Sequence, residues 1–234
     1  MDFASSALTV LIGGLVAAAG YAYWRWVWFW RNPDRVPPPG AGILSPADGT
    51  VVYVRAIPPG GDVISIKEGL AAKLPDITHA DSDTPMLLVG IFMSPFNVHV
   101  NRAPVAGTVN FIKHYPGADA RNAHMGPMHW RLLLRRPPYY RNATHIVRNE
   151  RTVTRFDTVR NHVPTPCYVV QIAARTVAGI ASYVNPGQFI AKGEVFGMIQ
   201  VGSQVDVAVP WTADMKVLVQ AGDKVRAGET ILVE

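Results

Sequence analysis

The chain has 234 residues, of which 49% are hydrophobic and 17% are charged, and its formal net charge is +5 at pH 7. This length accommodates one globular domain together with one membrane anchor. The single cysteine, Cys167, excludes an intrachain disulfide framework and is typical of a small core residue in a reducing compartment.

Residues 1–30 are predicted to form a transmembrane anchor. The segment from Phe3 to Trp24 carries no charge and is close to the ~20 residues needed to cross a hydrocarbon core. It runs into a belt of tyrosine, tryptophan and phenylalanine flanked by Arg25, Arg31 and Arg35. Because positive charge marks the cytoplasmic side of a membrane helix, we expect a cell-membrane protein, single-pass or peripheral, with its main domain on the cytoplasmic face. A cleaved signal peptide is the alternative, although no basic region precedes the apolar run.

Residues 31–42 are rich in proline and are predicted to form a stiff linker that lifts the domain at 43–234 off the bilayer. The domain opens with Ser45-Pro-Ala-Asp48-Gly49 ahead of a β-type run. The pair Asp48-Gly49 is a common hairpin turn, and the competing interpretation is a carboxylate that orients or polarises a base. Both interpretations stay open on this motif alone.

Two further β-type runs, Met86–Met93 and Gly107–Ile112, are joined by the stretch Ser94-Pro-Phe-Asn-Val-His99-Val-Asn-Arg-Ala-Pro104. A single histidine in such a segment is most often a hydrogen-bonded structural residue. His99 is nevertheless a candidate site residue, because polar side chains alternate around it, among them Asn101 and Arg102.

The stretch from Lys113 to His162 holds ten lysines and arginines against three acidic residues, a local charge of +7. A solvated surface is the simplest interpretation, and a face held against anionic membrane lipid is the functional one. Trp130 and the leucines at 132–134 fit an element that dips into the membrane interface. The anchor argues against nucleic acid, which is the other usual partner of a basic patch.

A repeat at an offset of 35 residues relates Val184–Glu194 to Val219–Glu229, with glycines at matching positions. Each copy predicts a strand, a tight turn and a strand, a unit too small to bury its apolar face alone. The fold class is therefore predicted to be mainly β, a duplicated β-sandwich after one transmembrane helix. The copies resemble the halves of biotinyl and lipoyl carrier domains, in which the pair Gly202-Ser203 falls at the hairpin tip that holds the modified lysine. Ser203 is thus a candidate cofactor precursor, although a plain turn is the commoner meaning of Gly-Ser.

Three motifs together resemble the short-form bacterial phosphatidylserine decarboxylase proenzymes. They are the stretches at 45–49, 94–104 and 196–207, the last containing Gly202-Ser203. The resemblance implies autocatalytic cleavage after Gly202 into a β chain of 1–202 and an α chain of 203–234, which remain partners. It also implies conversion of Ser203 into a covalent pyruvoyl group, the pyruvate cofactor, and decarboxylation of phosphatidylserine to phosphatidylethanolamine.

The same resemblance implies roles for individual residues. Asp48 with His99 is the expected base for cleavage, since a free serine is a weak nucleophile, and His99 is the expected proton donor in decarboxylation. Arg102, Asn101 and His124 are candidate substrate contacts, and no metal is expected. Longer members carry a further histidine where Arg102 stands, and short members usually have Ala-Arg-Arg where this chain has Val-Ala-Gly at 177–179.

Other functions stay open at this point. The repeat alone would allow a membrane-anchored, non-enzymatic carrier or adaptor, and the motifs would allow a pyruvoyl decarboxylase for another serine-headed lipid or a processed but inactive relative. A homodimer is compatible with the sequence. The segment Gly126–Val147 is predicted only to contact the membrane.

Overall fold

The computed structural model describes residues 3–67, 70–79, 83–119, 121–175, 179–200 and 202–234. Its helices are α1 (Phe3–Tyr23), α2 (Leu74–Thr78), α3 (Gly126–Leu133) and α4 (His145–Arg148), and a π-helical turn, Trp24–Trp28, continues α1. Its strands are β1 (Ile43–Leu44), β2 (Gly49–Ile57), β3 (Asp62–Lys67), β4 (Leu70–Lys73), β5 (Met86–Met93), β6 (Val100–Arg102), β7 (Gly107–Tyr115), β8 (Arg151–Arg160), β9 (Val163–Ala173), β10 (Ile180–Ser182), β11 (Phe189–Ile190), β12 (Val195–Ile199), β13 (Ser203–Pro210), β14 (Lys224–Val225) and β15 (Ile231–Val233).

The N-terminal helix is long and apolar enough to cross a membrane. The candidate span runs from Ser6 to Trp28, and none of its most apolar stretch is buried against the rest of the protein. This confirms the predicted apolar helix and fits a membrane anchor. The side of the membrane on which the domain lies stays a prediction.

An antiparallel sheet of eight strands forms the centre of the domain, in the order β11-β7-β8-β9-β13-β5-β2-β14. β13 lies at its middle and pairs along its length with β5 and with β9. Side chains alternate between the two faces of a strand, so Val205, Val207 and Val209 enter one core while Gln204 and Asp206 enter the other. The predicted mainly β architecture is confirmed at this level.

Both faces of the sheet are covered. One face packs under β1, β6, β12 and β15, with Phe196 and Leu232 fully buried there. The other face packs under α2, α3, α4 and the β3–β4 pair, which contribute Ile77, Met128 and Ile146. The segment Gly126–Val147 therefore has a structural role in covering this second face, beyond the membrane contact predicted for it.

The two repeated segments lie at opposite edges of the eight-stranded sheet. β11 of the first copy pairs with β7, and β14 of the second copy pairs with β2. The equivalent glycines Gly187 and Gly222 each donate their amide to a strand carbonyl, at 2.7 and 2.8 Å. The edges meet where a Cβ on Gly228 would lie 3.5 Å from the Cα of Gly193, so the sheet is curled. This arrangement does not establish a resemblance to carrier halves.

The pair Gly202-Ser203 does not lie at the tip of a hairpin. β12 pairs with β6 and β10 in a three-stranded sheet, whereas β13 belongs to the eight-stranded sheet. The predicted hairpin is wrong because β5 and β9 already occupy both edges of β13, which leaves none for β12. The chain instead crosses from one sheet to the other before Ser203, and Val201 lies outside the described residues.

The proline-rich linker lies against the domain and does not stand free of it. Arg102 donates to the side chain of Asn32 at 2.7 Å and to the carbonyl of Pro33 at 3.0 Å. Lys192 donates to the carbonyl of Gly40 at 2.6 Å. The anchor and the domain are therefore joined by a docked segment, which differs from the free spacer expected from its composition.

Candidate active site

Ser203 is the first residue of the central strand and is fully buried. Its hydroxyl group donates to the sulfur of Met93, on the paired strand β5, at 3.3 Å. A thioether is a weak acceptor, so this contact holds the hydroxyl without deprotonating it. Gly202 has a φ of 62°, in the left-handed region that favours glycine, so the peptide before Ser203 takes a conformation that other residues adopt at a cost.

His99 is fully buried on the loop that follows β5. Among the described residues, neither of its ring nitrogens makes a well-formed hydrogen bond, although the Pro95 and Ile199 carbonyls are near enough to favour the protonated ring. Burial is the larger effect and lowers the pKa of His99 to about 4, so the ring is neutral at neutral pH. The carbonyl of His99 accepts a hydrogen bond from the amide of Ile199 at 3.2 Å, which ties this loop to the end of β12, just before Gly202.

The aromatic belt of the anchor forms part of this site. The ring of Phe29, which is 1% exposed, stacks on His99 with centroids 4.4 Å apart and 29° between the planes. Arg31 donates to the carbonyl of Phe96 at 2.6 Å, and Trp24 packs beside the Phe96 ring at 6.4 Å between centroids. The belt therefore shields the imidazole from water, a role beyond the membrane-interface contact predicted for it.

Asp48 belongs to a neighbouring cluster of charges. It forms an ion pair with Arg35 at 3.0 Å and accepts a hydrogen bond from the amide of Ala227 at 2.7 Å. Arg35 also binds Glu229 at 2.7 Å. Within the described part of the chain, Asp48 has no hydrogen bond to His99 or to Ser203. In this state its carboxylate holds the linker to the second repeat.

The three candidate substrate contacts lie in different places. Asn101 is buried behind Ser203, where its amide nitrogen lies 3.8 Å from the sulfur of Met93 and its oxygen accepts from Gln171 at 2.8 Å. Arg102 forms hydrogen bonds with Asn32 and Pro33 of the linker. His124 borders a cavity of about 180 Å³ beside Gly202, which is lined by Phe92, Pro95, His124, Met125, Gly126, His129, Ala174 and Gly202. Of the three, the structure therefore brings only His124 to the cavity beside Gly202. Val177 and Ala178, noted as a departure from related sequences, lie outside the described residues.

A buried polar network on the opposite face of β13 was missed by sequence reasoning. The amide group of Gln204 donates to Tyr53 and to Asp206, both at 2.8 Å, and Tyr53 donates to Asp206 at 2.7 Å. A ring nitrogen of His145 lies 2.9 Å from the Gln204 oxygen. Burial raises the pKa of Asp206 to about 6 and lowers that of His145 to about 4. The available signal was the alternation Gln-Val-Asp-Val, which places two polar side chains on one face of a buried strand.

Comparisons with known proteins point in one direction. Residues 23–233 match the family model described as phosphatidylserine decarboxylase. The chain is 35% identical over 207 residues to a putative archaetidylserine decarboxylase proenzyme of Halobacterium salinarum, covering 88% of this chain and 79% of that protein. It is 35% identical over 215 residues to the phosphatidylserine decarboxylase proenzyme of Thermobifida fusca (92% and 73% covered), and 34% identical over 245 residues to that of Azorhizobium caulinodans (99% and 85% covered).

Replacing Phe29 by alanine is expected to raise the pKa of His99 from about 4 toward the 6.5 of a free histidine, because water then reaches the ring. The ring would consequently begin to protonate near pH 6 instead of near pH 4. Histidine NMR titration of the full chain in detergent micelles measures this directly. Phe29→Leu, which keeps an apolar cover without the aromatic ring, should preserve most of the shift.

Two controls accompany this titration. Trp26 belongs to the same belt but is 70% exposed, so Trp26→Ala should leave His99 unchanged. His145 has the same lowered pKa elsewhere in the domain and serves as an internal reference. An unchanged His99 titration in Phe29→Ala would show that Phe29 does not exclude water from the imidazole.

Proposed function

The chain belongs to the phosphatidylserine decarboxylase family and is a carboxy-lyase of the proenzyme type, and on this premise we propose that Ser203 becomes its pyruvoyl group. The observation that carries the proposal is the position of Ser203 at the start of the central strand, directly after a glycine with positive φ that borders a cavity. Strand β13 holds Ser203 in place, while Gly202, on the other side of the peptide bond, takes a backbone conformation that favours glycine.

The proposed maturation converts one peptide bond. The Ser203 hydroxyl oxygen leaves the Met93 sulfur and attacks the carbonyl carbon of Gly202, and the peptide nitrogen departs with a proton, which leaves an ester. Removal of the α-proton of Ser203 then expels Gly202 as a carboxylate and leaves a dehydroalanine. Hydrolysis of the dehydroalanine releases ammonia and leaves a pyruvoyl group on residue 203. The products are chains 1–202 and 203–234.

His99 is the proposed proton-transfer group. Its ring is neutral at neutral pH because of its burial, so it can accept a proton, and its loop is bonded to Ile199 close to the scissile peptide. Asp48 is the proposed supporting carboxylate, and in the unprocessed state its ion pair with Arg35 holds the linker that follows Phe29. Asp48 and His99 are proposed to act together because both lie in the motifs shared with the family. The contacts of His99 support its role as the proton-transfer group.

The cavity beside Gly202 fits a pyruvoyl group at residue 203, since it adjoins the new chain end and is lined by the imidazoles of His124 and His129. Such a group supplies an electron-poor carbonyl that binds the substrate amine and withdraws the electron pair left when carbon dioxide departs. The protein holds this chain end in the central strand and excludes water with Phe29. His99 would return the proton to the carbon that lost the carboxylate.

Phosphatidylserine is the substrate of this family, and the product is phosphatidylethanolamine. A second serine-headed lipid is a candidate on one specific ground, since a relative that is 35% identical is named for archaetidylserine. The two lipids share the serine headgroup that would react at residue 203 and differ in their apolar part.

Ser203→Ala is expected to abolish cleavage, because alanine has no hydroxyl to attack the Gly202 carbonyl. Intact-mass measurement should then find one full-length chain, whereas the wild type should give fragments of 1–202 and 203–234. The shorter wild-type fragment should carry a carbonyl and lack a free amino group at its start. A folded wild-type protein that stays full length would refute the proposed maturation.

His99→Ala is expected to lower decarboxylation of phosphatidylserine by about 10²–10⁴-fold, the usual contribution of a positioned acid or base. The assay should use only the processed fraction, so that a loss in maturation is not mistaken for a loss in chemistry. His114→Ala is a suitable control, since His114 lies on the exposed surface. Normal turnover by processed His99→Ala would assign His99 a purely structural role.

A further inference from the structure

We propose that a cleft between α3 and the edge formed by β2 and β14 binds the glycerol-phosphate part and the acyl chains of the lipid, with Arg135 and Lys224 holding its phosphodiester. This rests on the proposed function and extends it, because it names the route by which a membrane lipid reaches residue 203. It also gives a function to α3.

The cleft lies next to the cavity beside Gly202. An outer chamber of about 710 Å³ adjoins the inner one of about 180 Å³, and the two share Phe92 and His129 in their walls. The rings of Phe92 and His129 have centroids 5.8 Å apart, so they mark the boundary between the chambers. A serine headgroup occupying the inner chamber would therefore leave its phosphodiester in the outer one.

Among the residues that the structure describes, the outer chamber is lined by two cations and by no acidic residue. Arg135 comes from the end of α3 and Lys224 from the second repeat, so distant parts of the chain supply them. In the described ranges neither side chain forms an ion pair or a hydrogen bond, in contrast to Arg35 and Arg102, which are fully engaged. Two unpaired cations on one cavity favour an anionic ligand, and a phosphodiester is the anion that this substrate carries there.

Arg135 directly follows Leu134, the residue that caps the C-terminal end of α3. Its φ is 50°, in the left-handed region that is common just after the last residue of a helix. The conformation is kept by a hydrogen bond from its amide to the carbonyl of Leu132 at 3.1 Å and by one from Arg136 to Arg131 at 2.8 Å. These two bonds are the Schellman motif that commonly ends a helix, and they fix the point at which Arg135 leaves α3 beside the chamber.

The mouth of the cleft suits acyl chains. Leu132 and Leu133 line the outer chamber, and Leu133 is 63% exposed although it is apolar. The opposite wall includes Ser94 and Asn97, whose loop presents Phe96 to solvent beside Trp24 of the anchor. The mouth therefore opens near the aromatic belt, where a lipid could enter with its tails still in the bilayer.

The test compares lipid kinetics of processed protein in mixed micelles of a nonionic detergent. The double variant Arg135→Gln, Lys224→Gln should raise KM for phosphatidylserine on the order of thirtyfold, since each cation near a phosphate contributes about fivefold. Its kcat should change little, and its cleavage at Gly202 should match the wild type by intact mass. Arg136→Gln is the control, because Arg136 is adjacent and exposed yet does not line the chamber.

Two further measurements distinguish binding of the acyl chains from binding of the phosphodiester. Glycerophosphoserine, which has no tails, should lose affinity for the double variant by the same factor as phosphatidylserine does. Leu133→Ser should raise KM, by about fivefold, for phosphatidylserine only, through loss of apolar contact.

Equal KM values for the double variant and Arg136→Gln would overturn the cleft proposal, whereas a wild type that makes no phosphatidylethanolamine would overturn the function on which it rests. If Leu133→Ser left the KM for phosphatidylserine unchanged, the cleft would bind only the headgroup and its phosphodiester, and the proposal that it also binds the acyl chains would be refuted.

Discussion

The pairing of β13 on both of its edges is the constraint from which the rest of the site follows. Because β5 and β9 occupy both edges, Ser203 cannot shift along the strand without breaking two ladders of hydrogen bonds. A shift of one residue would also exchange Val205 with Gln204 between an apolar core and a polar network. The serine is therefore held in register by residues on both faces of the sheet, and it follows Gly202, whose positive φ a glycine adopts without strain.

The anchor is part of the same construction. Phe29 stacks on His99, Arg31 binds the loop that carries His99, and Arg35 binds Asp48. Ion pairs of buried arginines are stabilising only when their other donors are also satisfied, and Arg35 meets this condition by binding two carboxylates. The segment that follows the candidate membrane helix thus also desolvates the candidate catalytic histidine, and its contacts with the domain keep it docked.

The features that could be predicted from sequence are those determined by local pattern. The apolar run with its aromatic belt predicted the N-terminal helix, apolar β-type runs predicted β5 and β7, and three motifs together indicated the family. Local sequence could not predict whether β12 and β13 form a hairpin around Gly202-Ser203. Two neighbouring strands pair only if no distant strand takes their edges, and here the distant strands β5 and β9 pair with both edges of β13. Phe29 was assigned to the membrane interface for the same reason, since its stacking on His99 joins residues 70 positions apart.

The two buried histidines show why burial alone does not identify a catalytic group. His99 and His145 have similarly lowered pKa values from the same cause, loss of solvation. His145 is satisfied by Gln204 within a closed network, and its contribution is to fix β13. His99 keeps both ring nitrogens without a well-formed hydrogen bond among the described residues, an arrangement that costs about 1–3 kcal/mol for each buried polar group. This deficit supports the proton-transfer role proposed for His99, in which a ring nitrogen would gain a partner when it accepts or donates a proton.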